Sequence, residues 1–296
     1  MTRRLSFILP ACALILSMAG LAPARAESVL DRIQATGVLK AGTREQARPF
    51  AFRNDKGELT GFSVDLLHHL RANLEQELKR PVRLDLSAVD ADTRIDLVEN
   101  GSLDITCDIA SKTWVRERRI DFSLTFFFNG TRVLTTRSLG LQGPEALSGR
   151  RIGVVRNSAT IGVINRSLSG AQIVEFSNMG AAMQALQSGT VDGISNISIV
   201  LRDLQRKAEN PGYWLIVPRA GYLNRDPMAC ILPQNDSRWR DTVDHTITRL
   251  LAGIEEYRGP YFEMYQLWFG PGGDLHYPLS RDAIEHFSQI RSWIDD

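Results

Sequence analysis

Arg116 lies in the stretch whose residue types most plainly suggest chemistry, Asp-Ile-Thr-Cys-Asp-Ile-Ala-Ser-Lys-Thr-Trp-Val-Arg-Glu-Arg-Arg-Ile-Asp-Phe-Ser over residues 104–123. Ile105, Cys107 and Ile109 alternate as in a short buried strand, and a polar turn then leads into a basic segment. A strand that empties into hydroxyls and a guanidinium is suited to hold an anion. Ser111 or Thr113 and backbone N–H groups can donate, and a planar Arg fork can grip a carboxylate through two parallel bonds. Arg116 is the candidate for that fork. Standing alone, Arg116, Arg118 and Arg119 would read as a solvated basic face.

Other chemistry finds little support. There is no Gly-x-Ser-x-Gly elbow, no phosphate-binding Gly-rich loop with Lys, and no His-Glu-x-x-His. His68 and His69 are adjacent on a helix and point to different faces, while His245, His276 and His286 are scattered. Asp55-Lys56-Gly57-Glu58 lacks the further acidic ligands of a calcium loop and reads as a hairpin turn. No metal site and no cofactor is expected.

The elements that must position these groups alternate. Residues 30–36 have helical spacing and stop at Gly37, and residues 38–43 form a first strand that runs out at Arg44. A hairpin follows, from Pro49 to Phe62, after which Ser63 is expected to cap a helix carrying Val64, Leu66, Leu67, Leu70 and Leu74. Strand 82–86, a helix over 93–99 and strand pieces at 126–128 and 131–136 complete a first unit. Strands at 151–155, 173–176, 191–194 and 214–217 alternate with helices in a second. Residues 228–232 carry the chain back, and helices near 237–254, 261–269 and 281–294 finish it. Strands alternating with helices argue for an α/β protein with mainly parallel sheets.

Met1-Thr-Arg3-Arg4, an apolar run to about Leu21 and Ala24-Arg25-Ala26 read as a secretory signal peptide over 1–26, cut before Glu27. No later segment is long and apolar enough to cross a bilayer, so the mature chain is expected to be soluble. Without Arg3, Arg4 and Arg25, the 35 basic residues fall to 32 against 34 acidic ones. That balance argues against a general nucleic-acid binder.

Several pieces recur in one order: Thr-Gly-Val-Leu-Lys-Ala-Gly-Thr-Arg-Glu over 36–45, Pro49-Phe50, Gly61-Phe-Ser-Val-Asp65, and Arg94 ahead of Asn100-Gly101-Ser-Leu-Asp104. The central stretch ending Asp121-Phe122-Ser123, Gly130-Thr131-Arg132, Leu186-Gln-Ser-Gly189 with Val191-Asp192, and Met228-Ala-Cys230 follow. From Glu27 onward the chain resembles the periplasmic solute-binding proteins of polar amino-acid ABC transporters, solute-binding protein family 3. It is most similar to the glutamate/aspartate-binding branch. The resemblance implies a two-lobed periplasmic binding protein fold of type II with two hinge-crossing strands. Lobe 1 would comprise 27–136 and 231–296, lobe 2 would comprise 137–230, and the crossings would lie near Thr136 and Cys230.

The resemblance also implies a site. Arg116 corresponds to the family Arg that holds the ligand α-carboxylate, and Ser111 to its partner hydroxyl. An earlier family hydroxyl falls on Ile109. Ser158 or Thr160, at a second-lobe helix start, fits the hydroxyl that reaches the same carboxylate. Arg44 and Arg94 correspond to two arginines facing a distal carboxylate. The family Asp for the ligand ammonium falls on Ile197, and a family His falls on Met179. Three cations without a compensating carboxylate would favour a small carboxylate or dicarboxylate lacking an α-ammonium, such as an oxo- or hydroxy-acid, unless Asp108 or Glu45 supplies the missing charge. Cys107 and Cys230 are expected to form a disulfide. The implied role is a monomeric, non-enzymatic carrier of a small anionic ligand that docks on a membrane permease. A sensor without a permease, or a dehydratase-like enzyme on the same fold using Glu175 as acid, are the alternatives.

Overall fold

The computed structural model describes residues 27–140, 143–219 and 221–291. The expected leader, 1–26, lies outside the described residues. The chain begins with α1 (Val29–Thr36), β1 (Val38–Thr43), β2 (Gln46–Ala47), β3 (Ala51–Arg53), β4 (Leu59–Thr60), α2 (Phe62–Leu78), β5 (Arg83–Ala88), α3 (Arg94–Glu99), β6 (Ile105–Thr106) and α4 (Trp114–Glu117). A long strand, β7 (Asp121–Thr136), leads to β8 (Arg151–Val155), α5 (Thr160–Ser167), β9 (Gln172–Phe176), α6 (Met179–Gln187), β10 (Gly193–Ile197), α7 (Ser198–Lys207) and β11 (Trp214–Val217). Then β12 (Asn224–Leu232) returns the chain to α8 (Ser237–Leu250), α9 (Pro260–Phe269) and α10 (Arg281–Arg291).

The whole is organised on β7 and β12, which pair antiparallel from Leu232 opposite Asp121 to Asn224 opposite Thr131. Beyond β12 the sheet continues through β6 and β1 to β5; beyond β7 it continues through β10 and β8 to β9, and β11 also pairs with β7. The strands β5, β1 and β6 are mutually parallel, as are β10, β8 and β9. Parallel strands covered on both faces read as near-continuous apolar runs. The first lobe buries Leu67, Leu70, Val243 and Phe269 on one side and Val98, Ile120 and Ile231 on the other. The second buries Ile164 and Val154 on one side and Ala182, Leu186 and Leu201 on the other. The fold is two-lobed α/β, of the type II periplasmic binding class.

Phe126, Phe127 and Phe128 of β7 belong to the large first-lobe core, while Val133 and Leu134 pack in the second-lobe cores. The change of core along β7 falls at Asn129 and Gly130, opposite Asp226 and Arg225, and Cys230 packs in the same cluster as Phe126, Phe127 and Phe128. Asn129-Gly130 does not interrupt the strand, because the Asn129 side chain is satisfied by its neighbour and by Tyr277. Asn129 Oδ1 accepts from the Gly130 N–H at 2.8 Å, and its Nδ2 donates to the Tyr277 hydroxyl at 3.3 Å. A Cβ on Gly130 would lie 2.1 Å from the Tyr222 ring, so this crossing is packed tightly.

Ser63 does not cap α2. The helix starts one residue earlier, at Phe62, with Gly61 at the N-cap and the Ser63 hydroxyl buried. Gly61 has φ +133°, and a Cβ there would sit 2.3 Å from the Phe50 carbonyl oxygen, so only glycine brings the helix start this close to the hairpin.

Cys107 and Cys230 are bonded, tying the segment after β6 to β12. Asp104 fixes the other end of β6: its carboxylate pairs with Arg32 and accepts from the Lys40 N–H at 2.7 Å, and its carbonyl accepts from Trp239 Nε1 at 2.9 Å.

Candidate functional site

The first-lobe groups issue from the carboxyl ends of parallel strands, where open α/β sheets hold their ligands. Because β1 and β6 run side by side, Arg44 and Asp108 leave adjacent strand ends. The junction is locked by the Cys107 N–H donating to the Gly42 carbonyl at 3.1 Å and Thr43 Oγ1 donating to the Cys107 carbonyl at 2.9 Å. Arg94 opens α3. Arg116 lies in α4, whose start is capped by Thr113 Oγ1 accepting from the Arg116 N–H at 3.3 Å.

Asp108 stands between two arginines. It pairs with Arg94, which is 3% exposed, and its second oxygen lies 3.3 Å from Arg44 Nε. Burial alone would push the Asp108 carboxyl up, but Arg94, Arg44 and the more distant Arg116 together hold it below the ordinary carboxylate range. Asp108 therefore supplies counter-charge to Arg94 and Arg44, one of the two sources left open from sequence, though one carboxylate does not balance three arginines. Glu45 is not involved; it bonds Arg53 at 2.7 Å.

Arg116 reaches across the gap between lobes. Its Nη1 donates to the Ser111 carbonyl at 2.9 Å, and its Nη2 lies 3.4 Å from the Asn157 carbonyl in the turn between β8 and α5. Asn157, at φ +56°, donates from Nδ2 to Asp92 Oδ1 at 3.0 Å, a second bond between the lobes. The neighbouring Ser158 hydroxyl is buried and has no partner among the described residues, and Thr160 is buried as the first residue of α5. Burial, then repulsion from Arg94, lowers the Arg116 guanidinium to about 10 despite Asp108 and Asp226 nearby.

Asp226 was not among the residues singled out from sequence. It lies on β12 at the crossing, is buried, and accepts from the Ser111 hydroxyl at 2.9 Å. Burial pushes it up to about 6, opposed by the Ser111 bond and by Arg116. The available signal was an acidic residue inside an apolar return strand. Asp92 and Asn157 carried none.

Ile197, at the end of β10, is buried in the large core with Phe128 and Met228, and Met179 packs on a second-lobe core. Glu175 is exposed on β9, the edge strand. Among the described residues no cluster of His, Cys, Asp and Glu is arranged for a metal, and no helix is long and apolar enough to cross a membrane.

Residues 39–271 match the bacterial extracellular solute-binding proteins, family 3. The chain belongs to this family. Among family 3 relatives, the glutamate/aspartate import solute-binding protein of Salmonella typhimurium is 27% identical, over 77% of this chain and 76% of that protein. That likeness places the chain beside the glutamate/aspartate branch of family 3. Two solved structures share the fold. One is an ABC uptake transporter substrate-binding protein from Streptococcus pneumoniae with bound histidine, at TM-score 0.71 and 16% identity, covering 83% of this chain and 98% of that one. The other is an ancestral amino acid-binding protein described as a precursor of cyclohexadienyl dehydratase, at TM-score 0.69 and 22% identity, covering 82% and 100%.

Proposed function

We propose that this family 3 solute-binding protein is the periplasmic receptor of an amino-acid ABC importer. It is exported by the leader over 1–26, acts as a monomer, and hands its ligand to a membrane permease. The ligand is an amino acid or a related small carboxylate, in the class named for the glutamate/aspartate relatives. It binds between the lobes with its carboxylate on Arg116, Ser158 and the start of α5, where the helix dipole favours an anion. Closure follows because a ligand touching both lobes binds the closed state better than the open one.

The observation that supports this reading is Arg116 itself, anchored on the first-lobe Ser111 carbonyl while its other nitrogen reaches the second-lobe Asn157 carbonyl. A guanidinium spending bonds on two carbonyls is a good surrogate for one gripping a ligand carboxylate in the same gap. We read the chain as a binder, and the exposure of Glu175, the acid that a dehydratase reading needs, on the edge strand β9 supports that reading.

A thermal-shift screen of mature protein against amino acids, dicarboxylates and oxo-acids tests the reading. A ligand at a hundredfold excess over its dissociation constant stabilises the folded state by about 2.7 kcal/mol. The shift should disappear in Arg116→Ala. A panel that gives no shift contradicts the proposal.

A further inference from the structure

We propose that Asp226 is the positioning residue of the carboxylate grip: it fixes Ser111 at the end of a short pairing on β12, and the Ser111 carbonyl in turn aims Arg116. The inference rests on the reading above, in which Arg116 takes the ligand carboxylate, and it adds a residue that acts without touching the ligand.

Arg116 leaves the four-residue helix α4 as a long side chain that needs an anchor to hold one direction. Among the described residues it pairs with no carboxylate, and its guanidinium has one first-lobe anchor, the Ser111 carbonyl, which accepts from Nη1 at 2.9 Å. The other bond, from Nη2 at 3.4 Å, goes to Asn157 across the gap. The donors of a guanidinium form a rigid planar fork, so fixing one nitrogen sets where the remaining N–H groups point. The place of the Ser111 carbonyl is therefore the place of the grip.

Ser111 ends a segment laid antiparallel along β12. Cys107 is bonded to Cys230, the Ala229 N–H donates to the Ala110 carbonyl at 3.2 Å, and Ser111 bridges to Met228. One further tie comes from the Ser111 hydroxyl, which donates to Asp226 Oδ2 at 2.9 Å, two residues along β12 from that bridge. Its single proton is spent there, so in this arrangement Ser111 serves Arg116 through its carbonyl and does not donate to the ligand.

Asp226 is buried and stands opposite Asn129, where β7 passes from one core to the other. A buried carboxylate is costly, and a neutral hydroxyl offsets only part of that cost, so packing alone gives no reason for one here. Arg116 is near enough to oppose the rise that burial gives the Asp226 carboxyl, yet the two are not bonded. Asp226 could thus act on Arg116 through its charge or through Ser111, and the bond to Ser111 is the direct connection.

Isothermal titration of the mature protein separates the two routes, with L-glutamate, L-glutamine and 2-oxoglutarate as probes. The variants are Asp226→Ala, Asp226→Asn, Ser111→Ala and the double variant Asp226→Ala, Ser111→Ala, each compared with wild type on the probe that wild type binds most tightly. Asp226→Ala and Ser111→Ala should each weaken binding about tenfold, and the double variant by no more than about threefold beyond either, because both remove the same tie. Asp226→Asn keeps an oxygen that accepts from Ser111 and should recover affinity to within about threefold of wild type. A purely structural role would lower the melting temperature without this pattern of affinities. Asp226→Asn as weak as Asp226→Ala overturns the proposal, since the charge and not the accepting oxygen would then matter. Losses that multiply in the double variant overturn it as well, because the two residues would then act separately. If Asp226→Ala does not fold, Ser111→Ala and Asp226→Asn still decide. Wild type binding a probe with every variant unchanged overturns this inference alone, and wild type binding no probe overturns the receptor reading with it.

Discussion

Asn157 accepts from Arg116 at 3.4 Å and donates to Asp92 at 3.0 Å, so one second-lobe residue holds two separate first-lobe segments. The two bonds hold the lobes together in the state described here. Both are solvent-accessible, and such a bond is worth about 0.5–1.5 kcal/mol. Asp92→Ala should therefore weaken ligand binding by roughly two- to tenfold, chiefly through faster release. Stopped-flow dissociation would show it, and the unliganded unfolding midpoint should stay near wild type.

The Cys107–Cys230 bond closes a loop with a sequence separation of 123 residues and immediately precedes Asp108. The chain-entropy account gives a loop of this length about 5 kcal/mol, and measured values often fall lower, at about 2–4. The double variant Cys107→Ala, Cys230→Ala should lose stability in that range by urea unfolding. Its ligand affinity should fall as well, because the strand end carrying Asp108 is no longer tied to the return strand.

Two carboxylates respond to pH with opposite sign. Asp226 is raised from 3.8 to about 6, so between those values the folded chain holds a proton that the unfolded chain has released. Stability from this group rises as pH falls through about 6 and levels off near pH 4. Asp108 is lowered, so its contribution is complete above the ordinary carboxylate range and is lost as pH falls through its folded value. Asp226→Asn should lose the rise that Asp226 contributes between pH 6 and pH 4. Urea unfolding of wild type and Asp226→Asn across that window should show the difference.

Gly130 sits on β7 where the chain changes lobes, and a Cβ there would lie 2.1 Å from the Tyr222 ring. Gly130→Ala forces that ring away from Arg132, whose guanidinium lies 4.7 Å from the ring centre. Overpacking of this kind costs about 1–3 kcal/mol. The melting temperature should fall by several degrees, and Tyr222→Ala in the same chain should recover part of the loss.

Much of the fold was legible because periodicity and turn chemistry are local. The first strand ending at Arg44, the hairpin, and the strand-helix alternation of the second lobe all follow from residues within one turn of each other. The crossing strand β7 was less so: Asn129-Gly130 looks like a break, and only its pairing with Asp226 and Arg225, nearly a hundred residues on, makes it a strand interior. The Gly61 cap was hidden for a similar reason, since Phe50 imposes it from the hairpin. Within the site, the arginines stood out by type, but their partners did not. Asp108 was visible only as one possible counter-charge, and Asp226 lies 115 residues from the Ser111 hydroxyl it accepts from. Charge compensation is a property of the assembled site.

The central claim is that residues of both lobes meet one ligand, and titration calorimetry of Arg116→Ala and Ser158→Ala tests it most directly. Bonds to a charged group are worth about 1.5–3 kcal/mol each, so Arg116→Ala should cost a hundredfold or more in affinity. Ser158→Ala should cost about fivefold or more. It should not lower the stability of the unliganded protein, because the buried Ser158 hydroxyl has no partner to lose among the described residues. Weakening by both substitutions is the predicted result. Unchanged affinity in either variant would contradict a ligand held between the lobes.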